Sequence, residues 1–155
     1  MSPNRAKVSQ NTAILIEAAR TSGMSDDELI RLASAGSPEP FASIAPGELE
    51  FGNLIDYAAT QPESFERAVR EGYQITFNTI NGMKYYIGIR FGRMRERDYP
   101  NLPDRIEGLM LSLSDASRLR ESLSPFWTVE ETGRDDAQGT VTLRIYLPAT
   151  GSGAE

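Results

Sequence analysis

The apolar residues of this chain change period near residue 73. Before it they recur every three or four residues, as on helices; after it they mostly alternate, as on strands. Helices followed by strands predict an α+β fold with an antiparallel sheet. The first helix is expected from about Asn11 to Thr21, with Ile14, Leu15 and Ala18 at helical spacing. In the second, Ser25 and Glu28 have capping-box spacing, Asp26 and Asp27 stand where the helix dipole favours anions, and Gly36 suits the position past its end. A third helix is predicted from Pro46 to about Thr60, with Leu54, Ile55, Tyr57 and Ala58 inward. Pro62 opens a fourth, with Phe65, Ala68 and Val69 on one side and Gly72 as its stop.

The strands are predicted to begin at Tyr73. "YQITFNTI" and "MKYYIGIRFG" flank Asn81-Gly82, a strong hairpin signal. "RIEGLMLSL" gives a third strand, with Leu109, Leu111 and Leu113 alternating. A short helix capped by Ser114 follows, with Ala116, Leu119 and Leu123 inward; "FWTVEET" and "TVTLRIYL" then pair around a polar loop. The expected order is about four helices, then an antiparallel sheet of about five strands with one inserted helix, αααα-βββ-α-ββ. Residues 1–60 form a helical region in this reading, 61–148 the sheet domain and 149–155 a disordered tail, all of it compatible with one continuous domain.

The hairpin register decides what its side chains do. A two-residue turn at Asn81-Gly82 puts Tyr73, Ile75 and Phe77 on one face with Lys84, Tyr86 and Arg90, a platform of rings and bases suited to nucleic acid. A three-residue turn, with Gly82 in the left-handed conformation, pairs Phe77 with Tyr85, Ile75 with Ile87 and Tyr73 with Ile89. One face is then apolar and the other polar. A polar group buried without a partner costs roughly 1–3 kcal/mol, more than the preference between turn types, so the three-residue turn is expected. Lys84, Tyr86, Arg90, Arg93, Arg95 and Arg97 are then the candidate binding surface.

Composition narrows the chemistry. The 155 residues contain no cysteine and no histidine, which removes disulfides, thiol nucleophiles, the usual zinc sites and imidazole general bases. Lys7 and Lys84 are the only lysines, so Schiff-base chemistry has almost no place to sit. No cofactor and no metal is expected: Asp26-Asp27-Glu28 is accounted for by capping, and Asp135-Asp136 sits in a polar loop. The net charge of −6 is uneven, with −7 over residues 23–72 and +4 over residues 73–97. No apolar run approaches the length of a membrane span, and "MSPNRAKVSQNT" lacks the apolar stretch of a secretory signal, so a cytoplasmic protein is expected. The preference for arginine over lysine fits a bacterial or phage origin.

"KYYIGIRF" resembles part of the first-strand motif of RNA-recognition motifs, which would imply RNA binding through Tyr86 and its neighbours; Tyr85 replaces the motif's glycine and Gly88 one of its rings. "IEAARTSGMSDDELIRLASAG" resembles the first two helices of helix-turn-helix repressors, but the recognition helix is replaced by "SPEPFASIAP", with no Lys or Arg between Leu32 and Glu66. "LPATG" matches a sortase signal without the apolar span that follows a working one. Trp127 is expected in a core or an interface. Together these features favour a non-enzymatic protein-binding or regulatory module that acts through its charge-segregated surface, on a protein partner or on itself as a homo-oligomer. The alternatives are nucleic-acid binding along residues 84–97, and binding of a small anion such as a nucleotide by Arg90, Arg93 or Arg95.

Overall fold

A computed structural model describes residues 5–42, 44 and 49–148. The predicted helix start at Pro46 and the tail from 149 lie outside the described residues. The chain divides into two compact units, Met1–Thr76 and Phe77–Glu155. The architecture is α+β, with six α-helices and two sheets among the described residues.

The first unit runs β1 (Ala6–Val8), α1 (Gln10–Thr21), α2 (Asp26–Ala35), a short 3-10 turn, α3 (Gly52–Thr60), α4 (Pro62–Glu71) and β2 (Tyr73–Ile75). Eight consecutive residues of α1, Thr12 to Ala19, are buried, so this helix has no solvent face along that stretch. The caps of α2 are those expected: the Ser25 side chain accepts from the Glu28 amide, and Gly36 is left-handed at φ 82°. Phe65, Ala68 and Val69 of α4 face inward as predicted, and so do Leu54 and Ala58 of α3. Strand β2 does not turn back into a hairpin. It pairs in parallel with β1, Ala6 opposite Tyr73 and Val8 opposite Ile75, through a connection that contains all four helices.

The second unit holds α5 (Ile80–Phe91), β3 (Arg105–Ser112), α6 (Leu113–Ser122), β4 (Thr128–Asp135) and β5 (Thr140–Tyr146). Its sheet has the order β3-β5-β4 and is antiparallel throughout. The last strand pair and the strand over residues 105–112 match expectation. Leu109, Leu111, Val141, Leu143 and Ile145 form the buried face of the sheet, with Leu119 and Leu123 also buried. Helix α6 is capped by Ser112, not Ser114, because its first helical residue is Leu113, which therefore leaves the strand alternation and stands 40% exposed.

The principal correction concerns residues 80–91. The predicted second strand is a helix of 12 residues, so in place of one five-stranded antiparallel sheet the second unit has a three-stranded one and the first unit a two-stranded parallel pair. Thr79 has the extended backbone of an N-cap, and its hydroxyl accepts from the Gly82 amide at 3.2 Å. Asn81-Gly82 thus lies in the first turn of α5 instead of reversing the chain. Gly92 closes the helix in the left-handed region at φ 72°. A cap at one end and a left-handed glycine at the other outweigh the local hairpin preference, because Met83, Lys84, Tyr86 and Ile87 then share one buried face.

Candidate functional site

Helical geometry turns the proposed surface strip around. Lys84 is 3% exposed. Its ammonium donates to the Asn101 side-chain oxygen at 2.8 Å and to the Leu102 carbonyl. Burial, with the nearby Arg95 charge adding, holds its pKa below the usual lysine value. Tyr86 is fully buried, and its hydroxyl donates to Ser122 Oγ at 3.0 Å. Arg90 reaches back one helical turn to donate to Tyr86 Oη at 2.7 Å, while its guanidinium lies 5.1 Å from the Phe91 ring centroid. These three residues tie α5 to the 101–102 segment and to α6. They are not an outer face.

Arg93, Arg95 and Arg97 do stay near the surface, on a tight turn after α5. The Glu96 amide donates to the Tyr99 carbonyl at 2.6 Å, and Glu96 itself has φ 72°, a conformation that costs a non-glycine residue energy. Asp98 organises this corner: its carboxylate accepts from the Met94 amide at 2.7 Å and pairs with Arg97 at 2.8 Å. Arg93 Nε donates to the Met110 carbonyl at 2.9 Å, and Arg95 to the Asn81 side chain at 3.2 Å. Each arginine of the corner already has a protein acceptor.

The Arg97 guanidinium, then the Met94 amide, holds the Asp98 carboxyl below its ordinary value. Arg105 and Arg144 do the same for Glu107, and Arg134 for Glu131. A lowered folded-state pKa adds stability that is complete above the unfolded value, about 4, and declines as pH falls through the folded value. The thermal midpoint is therefore expected to fall as pH is lowered from 5 to 3, and Asp98→Asn to fall less steeply. A midpoint flat to pH 3 contradicts these pairings.

Two features escaped the sequence reading. Phe77 and Phe126 are 53% and 61% exposed, with ring centroids 6.0 Å apart in an edge-to-face arrangement. Nearby, buried Asn78 accepts from the Ser124 amide at 2.9 Å with its side chain and from Trp127 Nε1 at 2.9 Å with its carbonyl, so Trp127 belongs to the core. This clamp holds the two phenylalanines in place from both chain segments. The second feature is buried Glu17 on α1, whose Oε2 accepts from the Tyr73 hydroxyl at 2.5 Å and pairs with Arg20 at 3.3 Å. Arg20 also donates to the Val69 carbonyl and pairs with Asp26 at 3.3 Å, so this network joins α1, α2, α4 and β2.

Of the two acidic clusters, Asp27 pairs with Arg70 at 2.6 Å, and Asp135 Oδ1 accepts from the Gln138 amide at 3.2 Å within its turn. No helix among the described residues is long and apolar enough to cross a membrane. In comparisons with known proteins, no family model, no curated protein and no solved structure matches this chain.

Proposed function

We propose that this chain is a non-enzymatic protein-binding module, with a second copy of itself as the first partner to test. The observation that carries this reading is the Phe77–Phe126 pair. Single exposed apolar residues are ordinary, but two contacting rings, both more than half exposed and set by a buried Asn78–Trp127 clamp, form a preorganised hydrophobic anchor. The uneven charge, −7 over residues 23–72 against +4 over residues 73–97, supplies complementarity between copies or toward a charged partner. The polar side chains that could have served chemistry support the same reading, since Lys84, Tyr86 and Glu17 are all spent on internal hydrogen bonds.

The nucleic-acid alternative keeps Arg93, Arg95 and Arg97 but loses Tyr86 as a stacking ring. Retention on single-stranded RNA at low salt, lost steeply as salt rises, is its signature. For the protein-binding reading, sedimentation at rising concentration is expected to show association that Phe77→Ser and Phe126→Ser each weaken. A photo-crosslinking residue placed at 126 is expected to capture protein. A monomer at every concentration, together with no captured protein, contradicts the proposal.

A further inference from the structure

A groove of about 200 Å³ lies between α6 and the last two strands. Its origin is geometric. A helix about 10 Å across covers about two strands spaced near 4.8 Å, and α6 packs on β3 and β5. The inward side of β4 is left over. By register, Glu131 stands opposite buried Leu143, and Arg134 opposite buried Val141, so two charged residues occupy the side of β4 that a third covered strand would give to apolar ones. They bind each other through two contacts, at 2.9 and 2.8 Å.

Facing them, α6 presents Leu113, Ala116, Ser117 and Arg120, spaced as one helical stripe. Among the described residues, the Ser117 hydroxyl and the Arg120 guanidinium make no hydrogen bond and no ion pair at contact distance, while the Arg120 charge lies near enough to Glu131 to help hold that carboxyl below its ordinary value. The groove therefore offers two donors without a hydrogen-bond partner above an apolar floor of Leu113, Ala116 and Val141. Its net charge is positive, since Glu131 is already paired with Arg134. Its volume is below the roughly 300–1,000 Å³ of sites for drug-sized ligands, and suits one or two side chains.

We propose that this groove holds a glutamate side chain of a partner peptide, its carboxylate on Arg120 and Ser117 and its methylenes on the apolar floor. The inference rests on the protein-binding reading and names the chemistry of one contact within it. The apolar floor favours a carboxylate on an aliphatic stem over a bare inorganic anion.

The test uses the full chain, labelled with ¹⁵N and titrated with the peptide acetyl-Ala-Glu-Leu-amide. Saturable shifts are expected at Ser117, Arg120 and Val141. The glutamine analogue, and the exposed Arg120→Gln variant, are each expected to bind at least about tenfold more weakly, because a charge-assisted hydrogen bond is lost. Circular dichroism identical to the parent shows that Arg120→Gln is folded. No saturable shifts, equal binding of the glutamine peptide, or shifts with inorganic phosphate in place of the peptide overturn the proposal. The two readings fail separately: loss of this titration leaves association through Phe77 and Phe126 intact, and a monomeric chain can still bind the peptide.

Discussion

Replacing Lys84 with alanine is expected to destabilise the second unit by about 3 kcal/mol. Two losses add: a buried aliphatic stem leaves a cavity, and the acceptors on Asn101 and Leu102 lose their donor. Lys84→Met separates the terms. It keeps most of the stem and removes an ammonium whose burial is itself unfavourable, so a loss of only about 1–2 kcal/mol is expected. Urea unfolding followed by far-ultraviolet circular dichroism measures both. A Lys84→Ala variant within about 0.5 kcal/mol of the parent contradicts a buried Lys84 and a helix over residues 80–91.

The second large effect is expected at Glu17. Glu17→Ala removes the acceptor of the Tyr73 hydroxyl and one partner of Arg20, in a site 3% exposed. Breaking a buried pair from one side typically costs about 3–5 kcal/mol; Arg20 is partly exposed and keeps Asp26 and Val69, so about 2–4 kcal/mol is expected. Tyr73→Phe should cost about 1–2 kcal/mol, since Glu17 then retains Arg20. Because Tyr73 belongs to β2, a strand of three residues, both variants are also expected to speed amide exchange in Ala6–Val8, its parallel neighbour. Unchanged exchange there means that the hydroxyl–carboxylate contact does not hold the strand pair.

Helices α2 and α4 were legible because each carries its own punctuation, Ser25 and Gly36 around α2 and Pro62 and Gly72 around α4, whereas α3 starts at Gly52 without a side-chain cap, later than the expected start at Pro46. The last strand pair was legible from the alternation of Val141, Leu143 and Ile145 along β5 after a polar turn, although β4 carries a register shift between Glu131 and Gly133. The short strand β1 was not. Three residues carry almost no periodicity, and their partner lies 67 positions away, as in Ala6 opposite Tyr73. Residues 80–91 were misread for a different reason. "YYIGIR" satisfies both periods, and Asn-Gly is a strong turn signal, so local preference pointed to a hairpin. The signal that chooses correctly was present: Thr79 can cap, Gly92 can stop, and Ile80, Met83 and Ile87 fall on one helical side.

That one misreading moved the candidate site. In a strand, Lys84, Tyr86 and Arg90 share an outer face; in the helix, Lys84 and Tyr86 are buried and half-buried Arg90 reaches back to the Tyr86 hydroxyl. Arg93, Arg95 and Arg97 lie beyond Gly92, and their place near the surface does not depend on the choice. Phe126 carried no sequence signal that it stays exposed while its neighbour Trp127 is buried. Two residues before it, the Ser124 amide donates to the side chain of buried Asn78, a contact between segments 46 residues apart that local sequence does not announce.

The most direct test exploits the absence of cysteine from the natural chain. Single cysteines at 84 and 85, in Lys84→Cys and Tyr85→Cys, report which side of the segment faces water. Helical α5 predicts slow thiol labelling at 84 and faster labelling at 85 in the folded protein, because Lys84 is buried and Tyr85 only half-buried. The reverse order, 84 fast and 85 slow, is the pattern of an alternating strand; it would contradict the helix and return Lys84, Tyr86 and Arg90 to an exposed face.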